Sequence, residues 1–122
     1  MKSKYSGIKR IIKAFTYSFD GFIAVFKSEA AFRQDLIFCL VAVIILSFLP
    51  LESMQFAFLL FSLFLIVFME LINTAIEVII DRIGKEYHPL SKKAKDIGSL
   101  LVLLAFGHFL AASVVLLLPL IR

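Results

Sequence analysis

Between Met54 and Ile80 the only charged residues are two carboxylates, Glu70 and Glu77. The rest of that run is apolar or uncharged, long enough to cross a bilayer, and a helix satisfies its own backbone polar groups there. A carboxylate in hydrocarbon costs roughly 2.5 to 3.5 kcal/mol on insertion scales. Two of them are therefore expected to have a use. Glu70, Asn73, Glu77 and Asp81 follow one another at steps of three, four and four, which puts them on one helix face. Leu71, Ile72, Ala75, Val78 and Ile79 fall on the opposite face. One face meets lipid or a neighbouring helix, and the other carries chemistry.

Composition agrees with a membrane chain. Of 122 residues, 61% are hydrophobic, and the mean hydropathy of +1.01 is far above that of a soluble domain. One small domain over 1–122, mostly embedded in a bilayer, is expected. A net charge of +4 would raise nucleic-acid binding on a soluble chain. Here the basic residues flank apolar runs, so the membrane reading is preferred and no nucleic-acid partner is expected. Cys39 has no second cysteine to pair with and reads as apolar filler. Charges at Lys9, Arg10, Lys13, Asp20 and Lys27 interrupt any signal-peptide core, so the N-terminal segment is expected to stay on the protein.

The pattern predicts four helices. Over 7–27, Ile8, Ile12, Phe15, Phe19, Phe22 and Phe26 recur at helical steps, with Lys9, Lys13, Asp20 and Lys27 on other faces. This is an amphipathic helix suited to lying in the headgroup plane. Ser28 is the expected N-cap of a first span over 29–49, about 31 Å long at 1.5 Å per residue. Pro50-Leu51-Glu52-Ser53 reads as a turn, with Ser53 capping a second span over 54–83 that stops at Gly84. Counted from Met54, Glu70 lies about 24 Å down that helix and Glu77 about 35 Å. Glu70 is then just inside one leaflet, and Glu77 is near the headgroups. Gly84 to Leu90 is a polar loop, and a third span covers 91–121. Lys and Arg crowd the segment up to Arg33 and the loop from Arg82 to Lys95, whereas the Pro50 turn has none. The positive-inside rule therefore predicts a cytoplasmic N-terminus and an external C-terminus. Glu29, Glu70, Glu77, Lys95 and Asp96 then converge at the cytoplasmic surface.

Converging carboxylates with a lysine suit a divalent cation and a phosphate. A base at the lipid–water boundary meets a hydroxyl held there, on a lipid headgroup. The same charges also fit helices stitched together by ion pairs. Nucleotide-loop and protein-kinase signatures are absent, and Gly7, Gly21, Gly84, Gly98 and Gly107 are too scattered to make one. No Cys/His cluster supports zinc. His88 reads as a solvated or nucleotide-facing loop residue, and His108 as a helix-contact residue.

Several separate motifs, in order, resemble the small integral-membrane diacylglycerol kinases of bacteria over essentially the whole chain. They are Glu70-Leu-Ile-Asn73-Thr-Ala-Ile-Glu77-Val-Ile-Ile-Asp81, Arg10-Ile-Ile-Lys13-Ala14, Glu29-Ala-Ala-Phe-Arg-Gln34, and Asp81-Arg-Ile-Gly-Lys-Glu-Tyr-His88 with Ala94-Lys95-Asp96. Ile80 stands where that family usually has Val. The resemblance implies an all-α membrane protein, a homotrimer of three-span protomers each with a surface helix, in the bacterial cytoplasmic membrane. It implies phosphorylation of diacylglycerol to phosphatidic acid by ATP with Mg²⁺. On the matching positions, Glu70 is similar to the general base, with Asn73 beside it. Glu29 and Glu77 resemble metal ligands that also position ATP. Glu86, Tyr87 and His88 resemble a nucleotide loop, with Lys95 and Asp96 beside phosphates and ribose. Arg10 and Tyr17 would reach ATP from the surface helix. Arg10, Ala14, Ser18, Ala31, Phe32, Arg33, Gln34, Glu70 and Ser99 match positions near the lipid.

Two rivals stay open at this point. One is an undecaprenol kinase of the same family. The other is a small oligomeric proton-coupled transporter, whose carboxylate would lie nearer the bilayer midplane. A single protomer is too small to surround lipid, nucleotide and metal while shielding Glu70, so a site shared between protomers is expected. Ala75, Ala105, Gly107, Ala111 and Ala112 would permit close helix contact.

Overall fold

The computed structural model describes residues 4–122 as four helices and no strand. They are α1 (Gly7–Ser28), α2 (Ala30–Ser47), α3 (Ser53–Ile83) and α4 (Pro89–Ile121). Three of them, α2, α3 and α4, are long and apolar enough to cross a membrane. At 31 and 33 residues, α3 and α4 would reach about 46–50 Å. That exceeds a hydrocarbon core of roughly 30 Å, so the ends carrying Asp81 and Lys92 have length to stand clear of it.

The junctions differ in detail from the sequence expectation. Ser28 is the last residue of α1, and Glu29, in an extended conformation, is the N-cap position of α2. The short break holds because Arg33 closes it. Its Nη1 donates to the carbonyl of Phe26 and, at 3.2 Å, to that of Lys27, filling acceptors that a helix end leaves open. Phe32 is buried and meets Phe22 edge-on at 5.9 Å. At the start of α3, Glu52 rather than Ser53 is the capping position, and its N–H donates to Gln55 Oε1 at 3.0 Å. In both places a polar residue stands on either side of the boundary, which leaves a one-residue ambiguity in sequence. Gly84 does stop α3, but with φ 170°, extended backbone that any residue adopts. At the start of α4, Pro89 takes the first position and His88 Nδ1 accepts from the N–H of Leu90 at 3.1 Å.

The chain's core lies along α3. Leu59, Leu63 and Ile66 pack with Leu46 of α2 and with Ala105 and Ala112 of α4. The buried residues of α4 are Gly98, Ala105 and Ala112, spaced by seven. That step drifts only about 20° per repeat on a helix, so small side chains keep facing α3 and the two backbones approach closely. Ala105 and Ala112 are used inside the chain, while Ala75, Gly107 and Ala111 stay exposed. Cys39 is not mere filler, since its thiol donates to the carbonyl of Leu63 at 3.6 Å. On the opposite side of α3, Leu71, Ile72, Val78 and Ile79 are exposed, as befits a face turned to lipid or to another chain. No residue of α1 is buried.

Candidate functional site at the Glu70 end of α3 and α4

Glu70 is buried, with 5% of its surface exposed, and Thr74 one turn on is buried with it. A carboxylate so placed needs company or a task. Asp35, Glu77 and Glu29 are the groups that act on it electrostatically. Carboxylates from the α1–α2 junction, α2 and α3 thus lie within electrostatic range of Glu70 without forming a tight cluster. Asp35 is the member that the sequence reading does not single out. A lone aspartate at the edge of a span was the available signal.

Asn73 makes the next step along the face. Its Nδ2 donates to Glu77 Oε1 at 3.3 Å, while its Oδ1 is buried without a partner. Room for this side chain comes from Gly98 on α4. A Cβ built at Gly98 would collide with Asn73 Oδ1. Gly98 is therefore a site residue, although the glycine spacing pointed to nothing.

One turn past Glu77 the face opens into a cleft of about 670 Å³ between the end of α3, the connecting loop and the start of α4. Asp81, Lys85, Glu86, Tyr87, His88, Lys95 and Asp96 line it. Lys95 Nζ donates to Asp81 Oδ1 at 3.2 Å, joining α4 to α3 across the loop. Lys92 and Asp96 pair within α4 at 2.6 Å. Both pairs are largely open to solvent, with side chains 44–62% exposed, so they hold the cleft's shape more than they stabilise the fold. Asp81 belongs to the carboxylate row but was given no role from sequence; the ion pair makes it a wall of the cleft.

The remaining predicted positions lie apart from this cleft. Arg10, Ala14, Tyr17 and Ser18 are exposed on α1, where Ser18 Oγ donates to its own helix at Ala14 O, 2.9 Å. Ala31 and Gln34 are exposed on α2, Phe32 is buried, and Arg33 is occupied with the end of α1. Ser99 is exposed beside Gly98. Glu29 and Glu77 are each half-buried. Among the described residues no three Asp, Glu, His or Cys side chains form a ready metal cluster. The donors present are oxygens: two carboxylates, with the free Asn73 Oδ1 beside Glu77.

Known proteins resemble the chain closely. The model of the family described as prokaryotic diacylglycerol kinase matches residues 16–118. A protein named diacylglycerol kinase from Escherichia coli strain K12 is 45% identical over 105 residues, which is 86% of this chain and 86% of that one. Proteins of the same name from Helicobacter pylori strain J99 and Pseudomonas aeruginosa are each 43% identical. The first match covers 79% of this chain and 75% of its relative, the second 77% and 76%. With spans, buried carboxylate and charged cleft laid out in that order, the chain belongs to the prokaryotic diacylglycerol kinase family.

Proposed function

We propose that this protein is a lipid kinase that moves the γ-phosphoryl group of ATP to the free hydroxyl of diacylglycerol, giving phosphatidic acid and ADP. Its relatives carry that name, and one observation carries the reading to this site. A buried carboxylate, Glu70, and a charged cleft starting at Asp81 lie on the same helix, about 16 Å apart along its axis. One end suits a lipid hydroxyl, the other a nucleotide, and the reaction needs both.

Glu70 accepts the proton of the lipid hydroxyl as that oxygen bonds to the γ-phosphorus, and the bond to the β-phosphate oxygen breaks. Asn73 steadies Glu77 through its Nδ2. Lys95, placed by Asp81, neutralises phosphate charge, with Asp96 beside the ribose and Glu86, Tyr87 and His88 along the nucleotide. The oxygen donors at Glu29 and Glu77 fit Mg²⁺, which takes one or two carboxylates and completes its shell with phosphate oxygens and water. Bound there with ATP, it would screen the charge between attacking and transferred oxygens.

The exposed apolar stripe of α1 lies in the headgroup plane, with Arg10 and Tyr17 turned towards the nucleotide. Ala14 and Ser18 of α1, Ala31 to Gln34 of α2 and Ser99 of α4 border the lipid. The basic ends face the cytoplasm. A homotrimer covers the open side of each Glu70 site with a neighbouring chain.

The assay is phosphate transfer from labelled ATP in mixed micelles, with diacylglycerol and undecaprenol run in parallel. Phosphatidic acid should be the main product. Preferential polyprenyl phosphate would move the assignment to the polyprenol branch, and no ATP use with either lipid would end the kinase reading. Mixed oligomers refolded from inactive Glu70→Gln and inactive Glu29→Gln chains should regain part of the activity. Dead mixtures that demonstrably contain both chains would show each site to be self-contained.

A further inference from the structure

The N-terminal end of α1 draws three lysines around one ring. The Nζ atoms of Lys4, Lys9 and Lys13 lie 5.5, 5.3 and 5.5 Å from the centre of the Tyr5 ring. Lys9 and Lys13 are one turn apart and reach the same ring because they share a face. Lys4 and Tyr5 precede the helix and fold back over it at Gly7. The φ of Gly7 is 63°, in the left-handed region that residues with a Cβ rarely adopt.

This arrangement concentrates positive charge. Three ammonium groups at these radii from one centre lie within about 11 Å of one another, where like charges repel, more so near low-dielectric lipid than in open water. Among the described residues no carboxylate lies within ion-pair reach of any of the three. No acidic residue occupies the first turn of α1, and the helix dipole adds positive potential at that end. Asp20 is the only acid on α1 and lies about 10 Å further along. Cation–π contacts at an exposed site give only about 0.5–1 kcal/mol each and do not neutralise the charge. The missing partner is an anion. On the other side of the same helix, Ile8, Ile12, Phe15 and Phe19 are all exposed.

We propose that Lys4, Lys9 and Lys13, held around Tyr5, form a binding site for the phosphate of an anionic phospholipid headgroup, taking phosphomonoesters before phosphodiesters. A phosphomonoester carries nearly two negative charges and three acceptor oxygens, which matches three ammonium donors better than the single charge of a diester. Membrane phosphate is the source because the apolar stripe holds the site beside headgroups, where their local concentration is high. The proposal rests on the reading of α1 as a surface helix, and it uses none of the residues assigned to phosphoryl transfer. Phosphatidic acid, the product, has the favoured headgroup.

The test is amine acetylation of the full chain in nanodiscs, read lysine by lysine by mass spectrometry. Discs of phosphatidylcholine alone are compared with discs containing phosphatidic acid or phosphatidylglycerol, and with phosphatidylcholine discs in added inorganic phosphate. Lys27 is the internal control, five turns from Lys9 on the same face and away from Tyr5. Phosphatidic acid should slow labelling of Lys4, Lys9 and Lys13 by roughly threefold more than that of Lys27, a difference within reach of one lysine's worth of surface attraction. Phosphatidylglycerol should do less, and inorganic phosphate nothing. Gly7→Ala and Tyr5→Leu keep every charge but undo the cluster, so both should abolish the difference from Lys27. Equal protection of all α1 lysines, or a difference that survives in both variants, overturns the site. Protection by inorganic phosphate alone overturns the lipid source. A Phe19→Trp reporter quenched by brominated lipid checks the surface helix separately, since the chain has no tryptophan. An unquenched reporter removes the surface-helix reading and the proposal with it.

Discussion

Towards Ser53, α3 and α4 meet through Leu59, Leu63 and Ile66 with Ala105 and Ala112; towards Ile83 they meet through Asn73 against Gly98. The packing device is the same at both ends, a small residue on α4 letting α3 come close. The chemistry differs. At the Ser53 end the polar side chains shared by the two helices satisfy each other. Ser62 Oγ lies 3.0 Å from His108 Nδ1 and donates to Phe58 O at 3.2 Å. Ser113 Oγ has no partner there, but it is an uncharged hydroxyl beside an apolar groove. At the Ile83 end Glu70 is buried and feels the charges of Asp35, Glu77 and Glu29, and Asn73 Oδ1 has no partner. Buried polar groups in folded proteins are nearly always paired, and each exception asks for a reason. Apart from the Ser113 hydroxyl, one end is complete as it stands. The other keeps carboxylates and an amide oxygen in reserve for ligands.

From that contrast, Glu70→Gln is expected to produce the largest effect. Gln keeps the shape and cannot take the hydroxyl proton, so turnover should fall by about 10²- to 10⁴-fold while the chain folds and binds ATP as before. Steady-state phosphorylation of diacylglycerol, alongside ATP binding by calorimetry, measures both. Near-normal kcat in folded Glu70→Gln would erase the functional difference between the two ends.

Gly98→Ala and Ala105→Leu test the shared packing device directly. Each overfills a small-residue contact, and each should cost about 1–3 kcal/mol in resistance to unfolding. Only Gly98→Ala pushes Asn73 away from Glu77, so only it should lower kcat/KM for Mg-ATP, by about tenfold, in the folded fraction. The comparison needs unfolding in a graded denaturing detergent together with kinetics on the surviving protein. Equal kinetic losses would mean the two contacts are interchangeable packing.

A smaller split is expected inside the cleft. Lys95 and Asp81 are 44% and 58% exposed at the side chain, so neither Lys95→Met nor Asp81→Asn should move stability by more than about 1 kcal/mol. Lys95→Met should raise the KM for ATP by roughly tenfold, as loss of a charge-assisted contact does. Asp81→Asn, which only frees Lys95, should raise it about threefold. The reverse order would make Asp81 the nucleotide contact and Lys95 its holder.

These contrasts were partly legible in the sequence. Apolar runs punctuated by Pro50, Gly84 and Pro89 are enough to mark α2, α3 and α4, because hydrocarbon admits few alternatives. The carboxylate face was legible for the same reason, since Glu70 and Glu77 stand out against apolar neighbours. Which small residues face α3 was not. Ala75, Ala105, Gly107, Ala111 and Ala112 look alike until the register of α4 against Leu59 and Leu63 selects among them. Nor could the Lys95–Asp81 pair be read, because fourteen positions and a loop separate them. The pairing of Lys92 with Asp96 follows from the i, i+4 rule alone. Asp35 was visible but unremarked, and it took the fold of α2 against α3 to bring it near Glu70. Gly98 meant nothing until Asn73 was placed against it.

The smallest effect is expected at the satisfied end, from the Ser62 and His108 pair. Interhelical hydrogen bonds within membranes average about 0.6 kcal/mol because the separated helices also find partners. Ser62→Ala and His108→Ala should each cost that order of stability, and the double variant should cost little more than one of them, because both remove the same bond. Ser62 Oγ still donates to Phe58 O, so removing His108 leaves no orphaned hydroxyl. The His108 ring also lies against that of Phe58, tilted by 51° with centroids 5.6 Å apart, so His108→Phe should recover part of the loss through ring packing. None of these variants should change kcat by more than about twofold, since the pair lies far from every group assigned to the reaction. A larger loss of kcat at unchanged stability would place His108 in the chemistry, and the end of the helix pair taken here as complete would have to be reassigned as a second working end.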